Sequence, residues 1–116
     1  MGQIILYLKF FFDNSKFLKF LKRCREEGIT VPILPGIKPI TKIQHINILP
    51  KTFKIDIPEE LASEVRSCKN DEEAKQVGIK WAVRQCRELL DNGLPGIHFY
   101  TMSASDSVMK IAEQVF

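Results

Sequence analysis

Three short apolar runs separated by helix-patterned segments limit most sharply what this chain can fold into. The runs are residues 4–12 (IILYLKFFF), 30–34 (TVPIL) and 97–101 (IHFYT). Each is of strand length and rich in β-branched and aromatic residues. Between the first two, residues 15–27 place Phe17, Leu18, Phe20, Leu21 and Cys24 at three- and four-residue spacing. That spacing predicts an amphipathic helix, with Gly28 as its carboxyl cap. The opening segment is therefore β-α-β, which requires parallel strands and a right-handed crossover.

The second run ends hard, in PGIKPI at residues 35–40. Pro35 has no N–H for a sheet ladder, Gly36 takes backbone angles closed to other residues, and Pro39 blocks an immediate helix. The expectation is a buried strand over 30–34 whose carboxyl end is turned sharply outward. Residues 41–49 then predict a short helix closed by Pro50, and 51–57 an extended connection. Pro58 suits a first helical turn, with Glu59 and Glu60 near the positive end of the helix dipole, and that helix should reach about residue 68. Asn70 or Asp71 caps a longer helix reaching about residue 90, with Ile79, Val83, Cys86 and Leu90 as one stripe and Trp81, Ala82 and Leu89 beside it. Asn92-Gly93 closes it, and a last helix over 106–116 carries Val108, Ile111, Ala112 and Val115. Alternating strands and helices predict an α/β fold with a parallel sheet. All three strands are apolar and carry little charge, as central strands do, so the chain reads like part of a larger sheet.

Composition narrows the function. With 116 residues, 45% apolar and 27% charged, this is one segment of a globular protein, not a disordered chain. The net charge of +3 is spread out, and the dense basic run over 19–25 lies on a helix whose other face is apolar. It reads as a solvated face, so no nucleic-acid partner is expected. Cys24, Cys68 and Cys86 are odd in number and form no CxxC, which fits free thiols in a reducing compartment. The apolar amino terminus is too short to span a bilayer and lacks the flanks of a signal peptide, which places the protein in the cytoplasm with no membrane partner. No acid completes a nucleophilic triad and no His/Cys/Asp/Glu cluster has metal spacing, so no catalytic residue and no metal site is assigned. Asp13 reads as a helix cap or as an acid. His98 and Tyr100 share one strand face, with Phe99 and Thr101 on the other, either as a catalytic pair or as an interior layer with satisfied polar tips.

Three stretches fall into a single pattern: residues 8–40, LKFFFDNSKFLKFLKRCREEGITVPILPGIKPI; 77–102, VGIKWAVRQCRELLDNGLPGIHFYTM; and the connection from NILP to DIPEEL over 47–61. In this order they closely resemble the carboxyl-terminal part of methylenetetrahydrofolate reductase, from about residue 8 to 116. The resemblance implies a partial TIM (β/α)8 barrel, the last three parallel strands, six to eight, with their helices, the amino-terminal strands being absent from the chain. It implies an oxidoreductase of one-carbon metabolism and methionine supply. Such an enzyme passes a hydride from NAD(P)H to FAD and on to 5,10-methylenetetrahydrofolate, giving 5-methyltetrahydrofolate. PGIKPI would then be the exit of strand seven at the catalytic face. By resemblance the folate-binding positions are Lys9, His45, Leu49 and Met102. Most members carry Gln where this chain has Lys9, and Gln where it has His45, which reads equally as an exposed helix residue. Lys donates but does not accept, so a two-way amide contact would be lost. Leu49 stands for a Phe that packs on folate in some members, and Met102 is a good match. An Asn-Arg pair found in many members is Ser103-Ala104 here. The family's acid-supplying Glu and most of its FAD-holding residues lie on earlier strands. The chain alone is thus expected to be inactive, with self-association or a complementing chain covering its open edges. The rival expectation is a diverged, non-enzymatic half-barrel that self-associates or docks on another chain and binds no folate.

Overall fold

The computed structural model describes the backbone of residues 5–100 and 105–116, and side chains over 10–100 and 106–116. Among these the order is β1 (Ile5–Phe10), α1 (Asn14–Glu26), β2 (Ile33–Ile37), α2 (His45–Phe53), α3 (Glu59–Arg66), α4 (Asp71–Asp91), β3 (His98–Phe99) and α5 (Ser105–Val115). The three strands form one sheet, in the order β1-β2-β3, with both neighbouring pairs parallel. The predicted α/β order is therefore present. β1 ends at Phe10, short of the expected run to residue 12, and three further boundaries differ for definite causes.

β2 begins later than residue 30 and runs through Pro35 and Gly36 instead of stopping before them. A proline inside a central strand normally breaks a ladder. Here β1 absorbs the defect. Leu6 pairs with Leu34 and Phe10 with Gly36, so β1 bulges opposite the residue that has no N–H to give. α2 starts four residues after Thr41, at His45, and continues through Pro50 to Phe53. Pro50 removes only its own bond to the carbonyl of Ile46, and the helix ends instead where Lys54 enters the left-handed region at φ 54°, its N–H bonded to the Pro50 carbonyl at 2.9 Å. β3 is only two residues long, although Tyr100 carries the ladder one step further by donating to the Ile37 carbonyl at 2.9 Å. Thr101 lies outside the described residues.

Helix ends follow the sequence closely. Asp13 caps α1 by accepting from the Ser15 N–H at 3.0 Å, so its role as a cap is accounted for locally. Asn70 caps α4 by accepting from the Glu73 N–H at 2.9 Å. Gly28 takes φ +88° just beyond α1, as a carboxyl cap requires.

The sheet separates two apolar clusters, and strand alternation decides which side each residue joins. Ile33, Ile37 and Phe11 face α1, α4 and α5, packing with Phe17, Cys24, Val83, Cys86, Leu89 and Ile111. Phe10, Phe12 and Tyr100 join the other cluster, with Ile40, Ile46, Leu49, Leu61 and Val65 from α2, α3 and the loop before them. In α4 the buried stripe passes through Leu89, while Leu90 is half-buried. A buried polar lock fastens α1 to α4. The Asn14 amide donates to the Gln85 carbonyl at 3.1 Å and to Glu88 Oε1 at 2.8 Å, and accepts from Gln85 Nε2 at 3.1 Å. Trp81 adds a bond from its indole N–H to the Phe12 carbonyl at 2.8 Å.

Candidate functional site

Open parallel sheets present ligands at the carboxyl ends of their strands, so the end of β2 is the place to build from. Gly36 pairs with Phe10 on one side and His98 on the other, which puts all three on one face. The middle strand has no side chain at that level, and rings flank it on both sides. Phe10 and Tyr100 lie 5.7 Å apart, and His98 stands edge-on to Tyr100 at 4.8 Å. This is the shared face expected for His98 and Tyr100. His98 is exposed and Tyr100 half-buried, so the pair lies at the margin of this face and not in an enclosed layer.

Lys38 follows as the chain leaves β2, and alternation places it on the Gly36 face. It is 4% exposed. Burial pushes its ammonium below the ordinary lysine range, and no acid opposes that shift. Ile40, fully buried two residues on, presses its backbone against Gly78 of α4. The next turn is held by Asp71, whose carboxylate accepts from the Ile43 N–H at 3.0 Å. These contacts fix the loop that presents α2.

His45 opens α2 and is half-buried. Its Nδ1 accepts from the Thr41 N–H at 3.2 Å, leaving Nε2 as the donor of the neutral ring. Burial is the largest cause lowering its pKa, followed by the charges of Lys38 and Lys42, with Asp71 pulling the other way. Leu49 lies one turn along the same helix face, but it is 3% exposed and sits in the core with Phe10, Ile46 and Leu61. Of the positions expected at the site, His45 and Leu49 are brought onto one face. Lys9 belongs to β1, and its side chain lies outside the described residues, as do Met102, Ser103 and Ala104. Sequence reasoning passed over Lys38. Its signal was legible: one charged residue inside an apolar, proline-bounded run.

A separate groove of about 500 Å³ lies between the start of α1, Pro58 and α4, lined by Asn14, Trp81, Arg84 and Gln85 among others. Its polar groups serve the lock between the two helices. No group of three or more His, Cys, Asp or Glu side chains suited to a metal occurs among the described residues. No described helix is long and apolar enough to cross a membrane.

Comparison with known proteins gives a consistent picture. The family model described as methylenetetrahydrofolate reductase matches residues 4–116. A probable methylenetetrahydrofolate reductase (NADPH) of Caenorhabditis elegans is 37% identical over 116 residues, covering 98% of this chain and 18% of the relative. Methylenetetrahydrofolate reductase (NADH) 1 of Arabidopsis thaliana is 35% identical over 111 residues, covering 95% of this chain and 19% of the relative. The 5,10-methylenetetrahydrofolate reductase of Pectobacterium carotovorum is 30% identical over 99 residues, covering 84% of this chain and 33% of the relative. The chain thus spans between about a fifth and a third of the length of these relatives.

Proposed function

From the premise that this chain belongs to the methylenetetrahydrofolate reductase family, we propose that it forms the last three strands of a (β/α)8 barrel and carries the folate-side part of its site. The observation that supports this reading best is the sheet itself. Three parallel strands lie in chain order, α1, α4 and α5 pack on one face, and the loop that begins at Lys38 leaves from the carboxyl end of the middle strand. In the assembled barrel the reaction would be reduction of 5,10-methylenetetrahydrofolate to 5-methyltetrahydrofolate, with NAD(P)H as electron source, in the cytoplasm. Lys9 and His45 would donate to the folate, and Met102 would pack on it.

FAD supplies the hydride relay when bound, but the described residues do not suit it. On the Gly36 face the rings of Phe10 and Tyr100 pack against each other, 5.7 Å apart. We assign the flavin to other strands of the barrel. The chain alone would neither hold FAD nor turn over.

The rival reading is a non-enzymatic partial barrel that pairs with itself or with another chain. The burial of Leu49 favours it, because that side chain is closed to a ligand. Purified protein decides between them through flavin absorbance and NAD(P)H oxidation, measured alone and with the remaining barrel strands supplied as a second polypeptide. Flavin and turnover gained only on complementation support the reductase reading. A stable complex with no flavin and no turnover supports the rival. Stoichiometric flavin on the isolated chain defeats both.

A further inference from the structure

Lys38 has no carboxylate of the described residues within ion-pair distance. Among the described residues its ammonium forms no ion pair: the bridges join Lys16 to Asp56, Arg23 to Glu27, Arg66 to Glu59, Lys75 to Asp106 and Arg84 to Glu60. The residues whose side chains are not described, 1–9 and 101–105, contain no Asp or Glu at all. Asp71, whose charge also acts on His45, is bonded to the Ile43 N–H and forms no ion pair with Lys38. The Lys38 side chain is buried along its stem, while its ammonium still reaches solvent at the end of β2 with no partner among the described residues. Its neighbours sharpen the point, since the charges acting on His45 beside it include Lys38 itself and Lys42. The end of β2 is therefore a locally cationic, partly dehydrated position where α/β sheets receive ligands.

We propose that Lys38 is an anion-binding residue at the carboxyl end of β2, and that its ligand brings an oxyanion, a carboxylate or a phosphate, to the space beside His45. The proposal rests on the placement of Lys38 and not on the folate reading. In a partly dehydrated position an ammonium–oxyanion hydrogen bond is charge-assisted and stronger than its exposed counterpart. The imidazole Nε2 of His45 offers the same anion a second, neutral donor.

The test is titration of the full chain with glutarate and, separately, with inorganic pyrophosphate, following the amide resonances of residues 36–45. Saturable shifts with one anion are expected, and which anion gives them separates a carboxylate source from a phosphate source. Lys38→Met should weaken that binding roughly tenfold to a hundredfold, the range for losing one charged hydrogen bond, while Lys38→Arg should restore most of it. Should Lys38→Met lose the native spectrum, Lys38→Gln takes its place. Equal affinity in the neutral variant, or saturable binding of neither anion by the folded chain, overturns the proposal. The second outcome would mean that Lys38 is matched by a carboxylate of another polypeptide. Loss of anion binding with folate binding intact, or the reverse, keeps this inference separate from the proposed function.

Discussion

A methyl group placed on Gly78 would come within 1.9 Å of the Ile40 carbonyl oxygen. α4 can lie against the loop leaving β2 only because residue 78 has no side chain. The obstacle is backbone on both sides, so no rotamer change relieves it. Gly78→Ala should destabilise the chain by about 1–3 kcal/mol or more, the range for overpacking a core. Gly96→Ala is the control, since its added carbon meets only the Leu34 side chain, at 3.6 Å. Urea unfolding of the two variants checks this, and equal midpoints would show that α4 shifts freely.

The Asn14–Gln85 lock predicts a second cost. Asn14 is 6% exposed and makes three hydrogen bonds to α4, two to buried Gln85 and one to exposed Glu88. Asn14→Ala should cost about 1–3 kcal/mol, because Gln85 stays buried and loses its bonds. Asn14→Asp should cost at least as much as Asn14→Ala, since its carboxylate can accept from Gln85 Nε2 but faces the Gln85 carbonyl and the Glu88 carboxylate with no proton to give. Thermal melts of the three proteins order them.

Stability should rise with pH from the acid side through the titration of His45. The sign follows from its lowered pKa: between the folded value and the ordinary histidine value, the unfolded chain binds the proton and the folded one does not. The penalty is complete below the folded value and gone above the ordinary one. Lys38 repeats the pattern at alkaline pH, where stability climbs as pH approaches the ordinary lysine range. His45→Gln should flatten the first rise and Lys38→Met the second. Urea midpoints across pH test both, and a profile unchanged by either substitution rules out these groups as its source.

Folate affinity in the complemented barrel should improve in Lys9→Gln. The amide offers a donor and an acceptor where the ammonium offers donors alone. A gain of roughly fivefold to tenfold is expected for one restored neutral hydrogen bond. Equal or weaker binding by the Gln variant would take Lys9 out of the site.

Much of this architecture was legible in the sequence because local signals and tertiary demands agree. The spacing of Phe17 and Cys24, the caps at Asp13 and Asn70, and the glycine after α1 each point to the element that forms. The misses occur where a distant element overrides a local signal. Pro35 looked like a stop, but a bulge in β1, remote in sequence, lets β2 pass through it. Pro50 looked like a helix end, yet it sits where a single lost bond is tolerated. Gly78 carried no marker beyond being a glycine inside a helix, and its meaning depends on Ile40, a contact that periodicity does not encode. The site was legible only as positions. His45 and Leu49 do share a helix face, but whether a side chain opens to ligand or closes into core is settled by packing across elements.

Cys86 has a use of its own. Its thiol is fully buried under α4, and burial pushes its pKa up to about 12. The thiolate that alkylating agents need is thus almost absent while the helix is seated. Cys68, after α3, packs against the other apolar cluster and is only half-buried. One chain therefore carries a slow thiol and a more accessible reference thiol. The ratio of their labelling rates is a clock for how often α4 lifts from the sheet. Adding a complementing polypeptide should slow that clock if it seats the helix, and leave it running if it docks elsewhere.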